Sequence, residues 1–383
     1  MKRFLARIYS KKVVKIFLIT IWLSSLLVYV FAAATPYFHP EKWVALTFLS
    51  LLFPYVLSFV LVQMVIWFLL RKNFAIISLF FILLGFQNIK NCFALNWPTS
   101  FQQKKPNEHI RVLSWNVNEF INSEIIADTP NNPRRGIFNF IAKTNADVLC
   151  LQDFSSSSNS SIYLNNFTYI KDSLNYPFVF ITIDDNRGMK GFMEGYGTAI
   201  FSRLPFVDTG RFAYKEMKIP EHLNYVTVKK GSNILRLYNT HLRSMSLKGV
   251  NPAIASKPLI TNADTAIKTN KNIASLIRTF DLVHAGQANF IKPIINQSSY
   301  PFLFCADLNA VPSTYVYHTL SKGLKDAFLE KGIGIGNTYD GVAPNLRIDV
   351  VLMHPSIQLK QLFTPKPSLS DHFPILVDVA VKP

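Results

Sequence analysis

Cysteine is scarce in this 383-residue chain, with three residues, Cys92, Cys150 and Cys305, each in or beside an apolar run. So few exclude a disulfide framework, and no Cys-x-x-Cys spacing offers a zinc or redox site. They read as buried small hydrophobes. A domain of this size is stable without disulfides, so the compartment stays open. Other signatures are also missing. No Gly-x-Ser-x-Gly elbow, no Gly-x4-Gly-Lys-Ser/Thr loop and no His-Glu-x-x-His occurs, which argues against an elbow-serine hydrolase, a P-loop nucleotidase and a zinc peptidase. The run Gly332–Gly336 does not lead from a strand into a clear helix and reads as a flexible loop near the site. Acid is almost absent from residues 1–104, which hold eleven Lys/Arg against Glu41; residues 105–383 hold 29 Lys/Arg and 22 Asp/Glu. The two parts carry +10 and +7 of the net +17. Much of the basic character therefore flanks apolar segments. The remaining +7 fits an anionic substrate without selecting one, and no Lys/Arg stripe interleaved with aromatics marks a nucleic-acid track.

What is present begins with long apolar runs. Residues 16–34 are almost wholly apolar, after Lys2, Arg3, Arg7, Lys11, Lys12 and Lys15. A run of about 20 apolar residues crosses a bilayer as a helix. It is too long for a usual signal-peptide core, and a second run, Val44 to Leu70, follows with Pro54 inside. A third candidate starts at Phe74 and weakens after Phe86. The excess of Lys/Arg before the first run and at Arg71-Lys72 places those ends in the cytoplasm. Three crossings, the favoured count, put the rest of the chain outside the cytoplasm, on the periplasmic side in a bacterial cell. The chain thus divides into a membrane anchor over 1–97, a linker over 98–109 and a soluble domain over 110–383.

The soluble part mixes short strands with few helices. Strands are predicted at 110–117, 147–151, 178–183, 197–201, 225–228, 234–238, 302–305, 348–353 and 375–379. Helical spacing appears over 135–143 and 264–297, with Pro293 limiting the second. Ser155–Ser161 reads as a loop. Several strands follow one another without a helix between them, which favours an α/β layered domain with two packed sheets over a doubly wound parallel one.

Five polar signatures end apolar runs in one order: Ser114-Trp115-Asn116-Val117-Asn118, Leu149-Cys150-Leu151-Gln152-Asp153, Asn239-Thr240-His241-Leu242, Ala306-Asp307-Leu308-Asn309-Ala310 and Ser370-Asp371-His372-Phe373-Pro374. Arg347-Ile348-Asp349 adds an acid. Strand ends that aim acids, amides and two histidines at one point suit a hard metal and a phosphate. A carboxylate at Asp153 can hold Mg²⁺ or Mn²⁺, with the Asn116 amide oxygen on the metal or the phosphate. Asp307 and Asn309 flank Leu308, so on an extended chain both face one way. His241 can protonate a leaving oxygen or stabilise charge on the phosphorane. A neutral His372 can take a proton from water if Asp349 holds its other nitrogen.

This order of segments resembles the endonuclease/exonuclease/phosphatase superfamily over about residues 108–381. The resemblance includes Gly197-Thr198-Ala199-Ile200-Phe201-Ser202-Arg203-Leu204-Pro205 besides the signatures above. It implies a four-layer sandwich, two β-sheets face to face with helices outside and the site at one sheet edge. It also implies a metal site holding Asn116 and Asp153, with Asp371 in the metal or phosphate shell. Asp307 and Asn309 would position nucleophile and scissile phosphate, and His241 and His372 would be paired imidazoles with Asp349 supporting His372. The implied reaction is Mg²⁺-dependent in-line attack of water on a phosphoester of a nucleic acid, nucleotide or lipid headgroup. The family usually has glutamate where this chain has Asp153. That departure motivates the alternative, a non-catalytic domain of the same fold that recruits a partner at the membrane. Residues 184–195 and 244–263, with Arg187, Lys190, Phe192, Met193, Arg243, Met245 and Lys248, are the loops expected to choose the substrate.

Overall fold

The structure is a computed structural model that describes residues 12–97, 99–120, 133–157, 165–187, 194–214, 221–244, 263–341, 343 and 345–381. The first apolar run forms helix α1, Lys12–Ala34, and the second α2, Val44–Leu70, which continues through Pro54. At 23 and 27 residues they are about 35 and 40 Å long at ~1.5 Å per residue, enough for a hydrocarbon core of roughly 30 Å. The third run breaks. Helices α3, Lys72–Leu84, and α4, Phe86–Cys92, meet at Gly85 with a bend of 65°. Among the described residues, two helices are thus long and apolar enough to cross a membrane, or three if the bent pair counts as one span. Gly85 is required by close approach, because a Cβ there would strike the Tyr29 ring. Tyr29 donates instead to the Ile82 carbonyl at 3.0 Å. Ser25 and Gln63 join α1 to α2 at 2.6 Å, and Trp22 Nε1 reaches Ser78 at 2.8 Å. Polar side chains in an apolar bundle find partners because an unpaired one is costly there.

The remainder holds two six-stranded mixed sheets. One contains β2 (Ile110–Asn116), β3 (Val148–Ser157), β4 (Phe178–Arg187), β5 (Glu194–Ser202), β13 (Ile357–Phe363) and β14 (Ile375–Val381), in the order β13-β14-β2-β3-β5-β4. The other contains β6 (Phe206–Ala213), β7 (His222–Lys230), β8 (Asn233–His241), β9 (Phe302–Asp307), β10 (Lys325–Asp326) and β12 (Asp349–Met353), in the order β10-β12-β9-β8-β7-β6. The parallel pairs are β2/β3 and β8/β9. Each is joined through a helix, α5 (Pro133–Thr144) and α6 (Ala263–Asn296) respectively. Strand periodicity sorts the side chains. Val112 and Cys150 pack between the sheets against Leu237 and Leu303, while Leu113, Trp115 and Leu149 pack toward Ile137 and Ile141 of α5. On the opposite outer face, Phe304 and Leu352 pack against Ala288 and Ile291 of α6 and Val316 of helix α7, Tyr315–Ser321. The layers are helix, sheet, sheet, helix, as expected.

Several local expectations are corrected. Ser155–Ser157 continue β3, because they pair with Tyr196, Gly195 and Glu194 of β5. Gly332–Gly336 is no free loop. Ile333–Gly334 form strand β11, after helix α8 (Ala327–Lys331), and pair with strand β1, Ala94–Leu95. Pro293 lies inside α6, which ends only at Asn296. Strands β6 and β13 were not anticipated; both are sheet edges, half exposed and weakly patterned. Gln102 and Gln103, before the first central strand, are held by the buried Arg111, whose guanidinium pairs with Asp378 and donates to their carbonyls.

The domain is docked on the bundle. Thr35 Oγ1 donates to the Ser313 carbonyl at 2.7 Å, and Ser313 Oγ to the Ser50 carbonyl at 2.6 Å. Asn345 Nδ2 donates to the Leu51 carbonyl, and Arg347 Nη2 to the Asn91 carbonyl. All these contacts lie at the end of the bundle that carries residues 35–43.

Candidate functional site

Strand direction explains why distant signatures meet. The C-terminal ends of β2, β3, β8 and β9 share one edge of the sandwich because each central pair is parallel. Asn116, His241 and Asp307 end β2, β8 and β9, and Asp153 lies inside β3, where its ladder is interrupted between Leu151 and Phe154. β12 runs antiparallel to β9, so its first residue Asp349 stands opposite Asp307. β14 runs antiparallel to β2, so His372, just before it, arrives at the same edge.

Asp307, fully buried, is the hub. Its Oδ2 accepts from Asn116 Nδ2 at 2.9 Å and lies 3.5 Å from His241 Nε2 and 3.7 Å from His372 Nδ1. Its Oδ1 accepts from the Asn309 N–H at 2.9 Å. Asn309 Nδ2 donates to the Leu242 carbonyl at 3.0 Å, which fixes the amide beside His241. His372 Nδ1 sits 3.0 Å from Asp349 Oδ2. Asp307, Asp349 and His372 form the one group of potential ligands within 4.8 Å of one another among the described residues. Asp153 stands at the other side of His241, 3.9 Å from its Nδ1. A bulge between Leu151 and Phe154 holds it at φ 50, a left-handed conformation that Asp and Asn tolerate better than most residues. Asn309 has φ 47 for the same reason. Asp371 is half-buried, with Oδ1 3.4 Å from Ser370 Oγ. The structure thus gathers Asp307, Asn309, Asp349, His372, His241 and Asn116 through direct contacts, joins Asp153 through His241, and leaves Asp371 flanking.

The electrostatics assign protons. Burial raises Asp349 and, alone, would lower His372; yet facing Asp349 and then Asp307, the His372 imidazole is pushed up to about 10. The two carboxylates thus favour the protonated form of His372. That direction runs against a neutral His372 acting as base. His241 is raised too: burial opposes its charge, but Asp153, Asp307 and Glu221 outweigh it.

Beneath the site lies a polar layer whose residues stood in the signatures without a role. Gln152 Nε2 donates to Asn239 Oδ1 at 2.7 Å, and Asn239 Nδ2 to the carbonyls of Leu151 and Ala199, so two carboxamides cross-link the sheets. Trp115 Nε1 donates to the His372 carbonyl, and Ser370 Oγ to the Asn116 carbonyl. Thr338 Oγ1 accepts the N–H groups of Ile348 and Asp349, and the Tyr339 ring lies 4.8 Å from the His372 ring. Polar residues at inward strand positions were the available signal for Gln152 and Asn239; nothing local marks Thr338 or Tyr339. The rim beside His241 also holds His222, whose Nδ1 is 2.6 Å from Asp184, and Glu221, which accepts from Gln287 and pairs with Arg243. Of the loops expected to choose substrate, the Arg187 side chain and Lys190, Phe192, Met193, Met245 and Lys248 lie outside the described residues.

The donor set suits a hard divalent cation. The close group Asp307, Asp349 and His372 offers carboxylate oxygens and an imidazole; Asp153 and Asp371 are half-buried carboxylates, and the buried Asn116 Oδ1 already accepts from the Asn118 N–H. The thiols Cys150 and Cys305 are packed in the inter-sheet core instead.

A family model described as the endonuclease/exonuclease/phosphatase family matches residues 113–372. A second, described as a domain of unknown function, matches residues 12–92. No curated protein matches the chain. Among solved structures, an endonuclease/exonuclease/phosphatase protein of Beutenbergia cavernae is 18% identical, with 72% of each chain covered and a TM-score of 0.47. The human Nocturnin catalytic domain with bound sulfate is 16% identical, with 72% of this chain and 94% of that one covered and a TM-score of 0.49. A humanized D. rerio TDP2 is 17% identical, with 72% and 100% covered and a TM-score of 0.48.

Proposed function

The chain belongs to the endonuclease/exonuclease/phosphatase family, and from that premise we propose that it is a membrane-anchored phosphoester hydrolase dependent on Mg²⁺ or Mn²⁺. The observation that carries the reading is the convergence of both imidazoles, His241 and His372, on Oδ2 of Asp307, at 3.5 and 3.7 Å.

Asn116, Asp153 and Asp371 would hold the cation. When bound, it would polarise the phosphate and stabilise charge that develops on its oxygens. Asp307 accepts the proton of the attacking water, and Asn309 fixes the water and the scissile phosphate. The His372 imidazolium, held by Asp349, donates to a phosphate oxygen. His241 gives its proton to the leaving oxygen as the phosphorus–oxygen bond breaks on the side opposite the water. One bond to phosphorus forms, one breaks, and the protons end on Asp307 and the leaving group.

The domain's contacts with Thr35, Ser50 and Leu51 support a location on the side of residues 35–43. Lys12, Lys15 and Arg71-Lys72 belong to the other end, which the positive-inside rule puts in the cytoplasm. We therefore assign the domain, residues 110–383, to the extracytoplasmic face, with 1–97 as anchor and 98–109 as linker.

The test is a panel of DNA, RNA, nucleotides, sphingomyelin and phosphoinositides offered to the purified full chain with divalent ions varied. Hydrolysis of one class that needs Mg²⁺ or Mn²⁺ and stops with chelator supports the reading. No hydrolysis and no calorimetric binding of either ion would favour the non-catalytic module instead.

A further inference from the structure

One corner of the molecule joins three observations. Strand β1 starts two residues after α4 ends and pairs with β11, Leu95 opposite Ile333. Asn96 ties the pair to α8, because its Nδ2 donates to the carbonyls of Leu329 at 3.0 Å and Gly332 at 2.9 Å. This two-stranded foot therefore sits at the end of the bundle without slack. Yet large apolar side chains on it are bare: Leu95 is 91% exposed, Trp97 92% and Ile333 58%. A tryptophan and aliphatic side chains beside the end of a bundle whose helices are long enough to cross a bilayer mark the level of its surface.

A groove of about 470 Å³ opens beside the foot, between β11 and the end of β13. Its volume falls within the roughly 300–1,000 Å³ of small-molecule sites. Ile333, Ile335, Leu362 and Phe363 supply apolar wall, and Lys331 and Lys366 supply charge. Among the described residues no carboxylate lies within 4.0 Å of either lysine nitrogen. Lys366 instead rests over the Phe373 ring, 5.1 Å from its centroid. Apolar wall continuous with a bilayer-level foot, plus two uncompensated cations, is the complement of an anionic lipid.

We propose that this groove binds an anionic diacyl phospholipid from the surrounding bilayer. Its phosphate lies on Lys331 and Lys366, and an acyl chain lies along Ile335, Leu362 and Phe363. The groove is separate from the Asp307 cluster, and the proposal does not require that the chain be a hydrolase. A peptide strand added to the edge of β13 is the competing occupant, but it would leave the lysine pair and the bare foot without a partner.

The experiment uses the full chain in phosphatidylcholine vesicles containing a diazirine-bearing phosphatidylglycerol, with label mapped by peptide mass spectrometry. Label is expected on residues 331–337 and 360–366 as well as on α2. A Lys331→Gln/Lys366→Gln variant should lose at least about five-fold of the groove label, the worth of one interfacial lysine, while the α2 label stays unchanged. Leu362→Asp should lose it too. A diazirine phosphatidylcholine should label the groove more weakly. Label confined to the helices in the unaltered chain would overturn the proposal, as would groove label indifferent to the lysines.

Discussion

His284 should make the folded domain acid-labile by a calculable amount. It lies on α6, fully buried, with Nε2 2.6 Å from the Arg243 carbonyl. A carbonyl only accepts, so the proton of the neutral ring is on Nε2. Nδ1 is buried without a partner among the described residues. A second proton would charge the ring where nothing receives it, and burial pushes the imidazole down to about 4. In the unfolded chain the group titrates near 6.5. Between these values the unfolded state binds more protons, so stability rises with pH there. The contribution is fully present above about 6.5 and is lost as pH falls toward 4. The loss comes to about 2 kcal/mol at pH 5 and about 3 kcal/mol at pH 4. At ~2–4 °C per kcal/mol for a domain of this size, the melting midpoint should fall by roughly 4–8 °C at pH 5 from this group alone. Carboxylates also titrate on the way down, so the comparison is with His284→Leu. At pH 7.5 the variant loses the Arg243 hydrogen bond, worth about 1 kcal/mol. Between pH 7 and 5 its midpoint should fall less than that of the unaltered chain by the stated margin. Thermal melts of the detergent-solubilised full chain, followed by tryptophan fluorescence, read both slopes. Parallel slopes would refute the reasoning.

Three further outcomes follow from particular contacts. Arg347 pairs with Asp326 at 2.6 Å and donates to the Asn91 carbonyl at the end of the bundle; Arg347→Met leaves a buried carboxylate uncompensated and should cost about 3–5 kcal/mol in a melt of the full chain. Asp153→Asn keeps a side chain that tolerates the left-handed bulge but removes a charge, so melting should hold within about 1 kcal/mol while calorimetry shows weaker Mg²⁺ binding. A periplasm-dependent reporter fused after residue 105 should be active in a bacterial host, and activity only from a cytoplasm-dependent reporter would reverse the assigned sidedness.

Much of the arrangement is legible in the sequence, and the parts that are not have physical reasons. The apolar runs predicted α1 and α2 closely because length and composition alone decide a spanning helix. The central strands were legible because they are buried on both faces, as the unbroken burial of Ile110–Asn116 shows. Edge strands β6 and β13 carry mixed patterns and escape such reading. Asp307, Asn309, His241 and His372 could be singled out because polar groups ending apolar strands have few other reasons to be there. The bias of His372 toward its protonated form could not, since it depends on Asp349 and Asp307 reaching the ring in three dimensions. Nor could the docking of Asn345 and Arg347 on the bundle, which depends on where two loops meet helix ends.

The central claim is that His241 and His372 serve one centre with Asp307. It is tested most directly by the rates of His241→Ala, His372→Ala and the double variant of the full chain, on whichever phosphoester the panel finds. Each single change should cost at least about 10²-fold, and the double should cost little more than the worse single, because residues that act as a unit are not additive. Single variants at the unaltered rate, or a double variant whose loss is the product of two independent losses, would contradict it.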